Sequence, residues 1–265
     1  MLVGVIGIGV VGGATYQVFK DKGLDVVAYD KFKKEFSEAK RMVECDVIFV
    51  CVPTPTTALG IQDISALQET FGFLHDIDYK GVVVVKSTVL PGTTEALALK
   101  YKLPRTVHNP EFLTAAKPYE DFLHQPVILI GGPLADVETV AEVYQAAGFG
   151  SNGVLAYDRA VYTEFAKYMH NLFLSVKVGF LNEFSEVCET LGVDYELVRQ
   201  GAVLLGGIGE GHTRVPGPDG KKGFGGMCFP KDTSAFLRWA ATQQDVRMHV
   251  LRATVQANKL RRDDV

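Results

Sequence analysis

The chain has 265 residues, of which 47% are hydrophobic and 22% charged, with a net charge of −4. This balance suits one large or two modest globular domains with a real core. No long basic stretch is present, which leaves nucleic-acid and anionic-membrane binding without an electrostatic footprint.

The apolar start, Met1 to Gly7, has no basic region and no cleavage site, so it reads as a buried strand. Short Val- and Ile-rich runs at Leu2–Ile6, Val26–Tyr29, Val47–Cys51, Val82–Lys86, Thr106–His108 and Val127–Ile130 predict strands that are apolar on both faces. Between most of them lie helical stretches, Val11–Lys22, Ile64–Asp76, Thr93–Lys100 and Leu134–Ala147. Such alternation predicts an α/β domain, a doubly wound parallel sheet of Rossmann type over residues 1–156. Beyond about Ala156 no strand is expected. A single helix over Ala160–Leu191, then shorter ones near Glu196–Leu204, Thr233–Thr242 and Arg247–Leu260, predict an all-α second domain over residues 157–265. Glu164, Lys167, Lys177, Glu183 and Glu186 exclude a membrane span for the long helix. A cytoplasmic, reducing setting is expected, where the four cysteines are thiols.

Gly7-Ile8-Gly9-Val10-Val11-Gly12 is a G-x-G-x-x-G that follows a strand and opens a helix. Gly7 permits the tight turn, Gly9 lets the backbone approach a pyrophosphate, and Gly12 permits close helix–strand packing. The amides at Val10 and Val11, with the helix dipole, then meet the negative charge. Asp30 ends the second strand, where an acid bonds the adenosine ribose and repels a 2′-phosphate. The cofactor expected is NAD. Lys31, Lys33 and Lys34 lie next door and soften that preference.

Gly206–Lys231 is a long loop rich in Gly and Pro, a length that is usually functional or disordered. Its end, Gly223-Phe224-Gly225-Gly226-Met227-Cys228-Phe229-Pro230-Lys231-Asp232, joins a permissive glycine run to a thiol, an ammonium and a carboxylate. On these residues alone Cys228 is either structural or a nucleophile favoured by its cationic neighbour. Asp232 is placed to cap the next helix or hold a water. Cys45, Cys51 and Cys188 read as small buried hydrophobes. Glu164, Lys167 and Asn171 share one helix face, with Glu164 able to pair with Lys167. None of the six histidines has metal-ligand spacing, and no catalytic metal is predicted.

The segment Phe224 to Asp232 closely resembles the signature of the UDP-glucose/GDP-mannose dehydrogenase family. Val52-Pro53-Thr54-Pro55, Ser87-Thr88 with Pro91-Gly92-Thr93, Asn109-Pro110-Glu111-Phe112-Leu113, and Glu164, Lys167 and Asn171 followed by Asn182-Glu183 resemble further motifs of that family. The resemblance implies oxidation of the C6 alcohol of a nucleotide sugar to a carboxylate with two NAD. It implies catalytic roles for Cys228, Lys167, Asn171, Asp232, Thr88 and Glu111. A water held by Thr88 and Asp232 would take the C6 hydroxyl proton, Lys167 would steady the alkoxide, and Cys228 would form a thiohemiacetal and then a thioester. Glu111 would activate the hydrolytic water or orient the site. Thr54, Thr88 and Lys231 would contact the cofactor; Glu111, Phe112, Leu113, Lys167, Asn171, Phe224 and Gly225 would contact the sugar nucleotide.

The resemblance also implies a homodimer paired through the helical domain. Two departures stand out. Ala115 occupies a position where many members carry a second acid. Typical members also have a third, C-terminal domain that holds much of the nucleotide; this chain reads as a short form lacking it, a fragment or half of a split enzyme, with a raised KM expected. The loop Val215 to Lys222 is longer than the commonest version, and Arg214 just before it, with Lys221 and Lys222, are candidates for a diphosphate or for a solvated basic surface. UDP-glucose is the default donor, with GDP-mannose and UDP-N-acetylmannosamine as rivals. A β-hydroxyacid dehydrogenase, which needs no cysteine, and a weakly active NAD-binding subunit with a partner chain are the other readings.

Overall fold

The computed structural model describes residues 1–150 and 153–263, so that the last two residues of the expected helical domain lie outside the described residues. The chain divides into two compact units, one comprising Met1–Pro55 and Gln62–Lys167, the other Thr56–Ile61 and Tyr168–Val265.

The first unit is built on a seven-stranded sheet. Its elements are β1 (Leu2–Ile6), α1 (Val10–Asp21), β2 (Asp25–Tyr29), a 3-10 turn (Ala39–Glu44), β3 (Val47–Val50), α2 (Ser65–Asp76), β4 (Val82–Val85), α3 (Thr93–Lys100), β5 (Thr106–His108), α4 (Pro118–Leu123), β6 (Ile128–Gly131), α5 (Leu134–Ala146) and β7 (Val154–Tyr157). The strand order is β2-β1-β3-β4-β5-β6-β7. β3 and β4 pair Val47 to Val82 through Val50 to Val85, every residue buried, which is why both read as unbroken apolar runs. Two apolar layers cover the sheet. One gathers Val5, Phe19, Phe49, Phe122 and Tyr144; the other gathers Ile48, Phe71, Leu74 and Val83.

The sheet departs from the expectation in two ways. β5 meets β6 antiparallel, through the single pair His108 and Gly131, so the sheet is mostly but not wholly parallel. A seventh strand, β7, pairs parallel to β6 and carries the sheet through Tyr157. Four residues long, with Leu155 half exposed at the sheet's edge, it lacks the buried apolar run that betrays a central strand.

The second unit holds α6 (Ala160–Thr190) from Tyr168 onward, α7 (Tyr195–Leu204), α8 (Phe229–Gln243) and α9 (His249–Lys259). Helix α6 packs closely on α9 at Gly179, where a Cβ would lie 2.8 Å from the Thr254 methyl. Arg261 holds Glu186 of α6 with two bonds of 2.7 and 2.8 Å. Tyr168, Phe236 and Trp239 form an aromatic run with centroids 5.1 Å apart at each step. The six-residue segment Thr56–Ile61 belongs to this unit: Gly60 lies against the Ser234 carbonyl of α8, and Arg238 donates to the Leu59 carbonyl at 3.2 Å. Among the described residues no helix is long and apolar enough to cross a membrane.

Candidate functional site

Order β2-β1-β3 places a topological switch point at β1, and in open α/β sheets the crevice beyond such strand ends takes the ligand. Gly7 turns the chain there with φ +87°. At Gly12 a Cβ would sit 1.9 Å from the Gly7 carbonyl oxygen, so no side chain fits. At Gly9 nothing lies within 4 Å of the Cβ position, and the backbone is open to close approach. α1 begins at Val10 with no side-chain cap on its first amides. The Asp30 carboxylate accepts from the Ile8 amide at 2.7 Å and the Phe32 amide at 2.9 Å. An uncapped helix start, an open glycine and an acid ending β2 fit a dinucleotide. Lys33 donates to the Ile8 carbonyl at 2.7 Å, and Lys31 pairs with Glu69 at 2.6 Å, so two of the three neighbouring lysines are drawn to protein acceptors.

The loop between β4 and α3 carries Thr88. The Thr88 carbonyl accepts the Thr54 hydroxyl at 2.7 Å and the Gln62 amide at 3.0 Å, while the Gln62 carbonyl accepts the Leu90 amide at 3.0 Å. Farther along, Glu164 accepts the Gly92 amide at 2.6 Å and the Thr94 amide at 2.8 Å, closing the start of α3 with a carboxylate from α6. Burial pushes the Glu164 carboxyl up, against the pull of those amides. The Glu164–Lys167 pair that their shared helix face allows is therefore not formed. Lys167 turns to the loop after β5, donating to the Glu111 carbonyl at 2.5 Å and to its carboxylate at 3.2 Å, with its ammonium 4.9 Å from the Phe112 ring centroid. The second Glu111 oxygen accepts the Leu113 amide at 2.6 Å. Lys167, Glu111, Phe112 and Leu113 are thus brought together within this unit.

Beneath them lies a polar triad in which Asn109 of the Pro-Glu-Phe-Leu segment meets two residues that the motifs did not single out. Lys86 donates to the Asn109 side chain at 3.0 Å and to the Tyr144 hydroxyl at 3.3 Å, and Tyr144 donates to the same Asn109 oxygen at 2.5 Å. Burial pushes the Lys86 ammonium down to about 8. Burial likewise pushes the Cys45 and Cys51 thiols up to about 12, in keeping with inert packing thiols.

In the helical unit Cys228 is exposed and is itself the N-cap residue of α8, with no side-chain cap bond. This corrects the expectation that Asp232 caps the helix: Asp232 lies inside the first turn, 1% exposed. Its carboxylate accepts from the Asn171 amide at 2.7 Å and pairs with Lys231. Cys228, Lys231, Asp232 and Asn171 therefore form a second grouping. The glycine run before it is held from behind. Asn182 accepts the Gly223 amide at 2.8 Å, and Asn258 bonds both the amide and the carbonyl of Phe224, at 2.8 and 2.9 Å. A Cβ at Gly225 would lie 2.2 Å from the Arg262 guanidinium, and Phe224 is buried. Of the loop's basic residues, Lys222 pairs with Glu189 at 2.8 Å. Among the described residues no group of three or more acidic, cysteine or histidine side chains is placed to hold a metal.

Gln62, Lys86, Tyr144, Asn258 and Arg262 escaped the sequence reading. Their partners lie 23 to 58 positions away, beyond any local spacing rule.

Residues 31–147 match the NAD binding domain of the UDP-glucose/GDP-mannose dehydrogenase family, and residues 162–260 match its central domain. NAD, the cofactor read from the glycine motif and Asp30, is the cofactor of that domain. The chain is 30% identical to UDP-glucose 6-dehydrogenase of Rhizobium meliloti (strain 1021), over 99% of this chain and 68% of the relative. It is 31% identical to UDP-glucose 6-dehydrogenase of Rickettsia prowazekii (strain Madrid E), over 82% of this chain and 50% of the relative. A UDP-glucose dehydrogenase from the archaeon Pyrobaculum islandicum has a similar structure, with a TM-score of 0.85 at 27% identity over 98% of this chain and 68% of that one. The chain thus spans between half and about two thirds of these relatives.

Proposed function

Because the chain belongs to the UDP-glucose/GDP-mannose dehydrogenase family, we propose that it oxidises the C6 alcohol of a nucleotide sugar to the carboxylate, with UDP-glucose as substrate and Cys228 as nucleophile. The observation that carries this reading is the exposed Cys228 thiol at the uncapped start of α8, backed by the buried Asn171–Asp232 pair and the partly buried Lys231 that joins it. A thiolate there faces the positive end of a helix dipole.

NAD supplies a hydride acceptor for each of the two oxidations. Gly7, Gly9 and Gly12 receive its pyrophosphate at the start of α1, and Asp30 takes the ribose. Thr88 orients the water that takes up the C6 hydroxyl proton. Lys167, held in place by Glu111, stabilises the alkoxide, since preorganised cations act most where negative charge develops. The Cys228 sulfur then bonds to C6 of the aldehyde and its proton passes to the carbonyl oxygen, giving a thiohemiacetal. Loss of a hydride from C6 and of the hydroxyl proton gives the thioester. Water, activated by Glu111, breaks the C–S bond, restores the thiol and releases the carboxylate. Each sugar consumes one water and two hydride acceptors, and the covalent link keeps the aldehyde from escaping.

The reading includes a homodimer formed through the helical unit, supported by Phe173, Phe180, Val187, Leu191 and Leu197, all exposed. Light scattering at micromolar concentration is expected to give twice the monomer mass. The function is tested by counting NADH formed per UDP-glucose consumed: two is expected, and one would refute the thioester route. Cys228→Ser is expected to form no UDP-glucuronate while still binding NAD.

A further inference from the structure

Thr88 lies on a loop whose backbone is tied down with unusual completeness. The Ser87 hydroxyl donates to the Val52 carbonyl at 2.6 Å, anchoring the loop where it leaves β4. Glu164 fixes its far end through the Gly92 and Thr94 amides. Between these anchors Gln62 acts twice, donating to the Thr88 carbonyl and accepting from the Leu90 amide, both at 3.0 Å. A primary amide is suited to this task, because it presents one donor and one acceptor side by side. Thr54 adds a second donor to the same carbonyl. The Thr88 hydroxyl, in contrast, makes no hydrogen bond to any described residue. The loop thus fixes the backbone on either side of Thr88 and leaves the hydroxyl available.

We propose that Gln62 is a positioning residue for Thr88, bridging the Thr88 carbonyl and the Leu90 amide so that the Thr88 hydroxyl is presented in one fixed direction. The proposal rests on the role given to Thr88 in the reaction above. Gln62 acts through Thr88, not on substrate. Its removal leaves Thr54 as the one donor to the Thr88 carbonyl from a residue outside the loop, and leaves the Leu90 amide without its acceptor. Between its end anchors the loop is then held by one side-chain bond, that from Thr54. A displacement of about 1 Å in a positioned group costs on the order of 100-fold in rate.

Two measurements test this. The first is amide hydrogen exchange on the full chain. In Gln62→Leu, exchange at Leu90 is expected to quicken at least about tenfold, while Gly92 and Thr94, held by Glu164, keep their protection. Unchanged exchange at Leu90, or a uniform rise at all three amides, would overturn the clamp. The second is a double-mutant cycle in kcat with UDP-glucose and NAD. Gln62→Leu is expected to lower kcat by about 10- to 100-fold with the NAD dissociation constant within about twofold of the parent. In a Thr88→Ala background the same substitution is expected to cost less than about twofold. Full additivity would overturn the proposal. Gln62→Glu keeps the acceptor for Leu90 and removes the donor to Thr88; it is expected to restore Leu90 protection and leave kcat low. Should Thr88→Ala keep the parental kcat, the role of Thr88 fails and the proposal's kinetic claim falls with it, whereas the exchange result still decides whether Gln62 holds the loop.

Discussion

Acidification offers a quantitative test of the core beneath the candidate site. His108 ends β5 fully buried, and its Nδ1 lies 2.8 Å from the Thr163 hydroxyl, which itself donates to the Ala160 carbonyl at 2.8 Å. Nδ1 and this hydroxyl share one hydrogen bond, and among the described residues the other ring nitrogen has no partner within hydrogen-bond distance. Burial pushes His108 down to about 3; the Lys86 and Lys167 charges act in the same direction, and the Ser87 backbone opposes them. The unfolded chain takes up a proton near pH 6.5 and the folded one near 3. Between those values the unfolded state binds more protons, so stability present above 6.5 is lost as the pH falls. The whole window is worth about 5 kcal/mol, and the part between pH 6.5 and 4.5 roughly 3 kcal/mol, a large share of a domain's stability. Urea unfolding of the parent and of His108→Phe, followed by far-ultraviolet circular dichroism from pH 7 to 4.5, separates this loss from carboxylate titration common to both. The substitution is expected to cost about 1 kcal/mol at pH 7 through the lost Thr163 bond and to flatten the acid slope. Parallel slopes in the two proteins would refute the reasoning.

Gly12→Ala places a methyl 1.9 Å from the Gly7 carbonyl oxygen and is expected to abolish NAD binding in a fluorescence titration. Asp30→Ala is expected to weaken NAD by about 10- to 100-fold and to narrow the gap to NADP, measured by calorimetric titration with each dinucleotide. Asn258→Ala leaves the buried amide and carbonyl of Phe224 without partners and is expected to destabilise the helical unit by about 2–4 kcal/mol; a loss below about 1 kcal/mol in urea unfolding would show that the Phe224 backbone finds other partners.

What could be read from the residues was whatever depends on local pattern. Gly7, with its positive φ, and Gly12, packed against the Gly7 carbonyl, each carry a backbone demand that only glycine meets, and the runs Val47–Val50 and Val82–Val85 are buried on both faces, so their sequence has a single reading. β7 was illegible because an edge strand of four residues needs no such run. The antiparallel join of β5 to β6 rests on one residue pair, which leaves no trace in composition. Helical spacing brought Glu164 and Lys167 to one face correctly but could not name their partners. Gly92 lies 72 positions from Glu164, and Glu111 lies 56 from Lys167. Charge alone suggested that they pair with each other; burial, which rewards a carboxylate for accepting two orphan amides, decided otherwise. Asp232 was misread for a similar reason: helix α8 starts one residue beyond Cys228, earlier than the apolar periodicity indicates, and this moves Asp232 from the cap into the interior.

The excursion of Thr56–Ile61 into the helical unit bears on how the chain can be cut and on how it assembles. A polypeptide running from Tyr168 onward lacks the six residues that seat Gly60 on α8 and give Arg238 its acceptor at Leu59. Such a piece would fold, if at all, with that flank of α8 bare, and adding the missing peptide in trans should raise its melting temperature. Within the intact chain, Leu59 and Arg238 stand 179 positions apart, so joining them closes a very long loop. Loop closure of that kind is entropically costly and slow to form. The helical unit is therefore expected to finish folding only after the segment between β3 and α2 has emerged and been placed, which ties the two halves of the chain in time as well as in sequence.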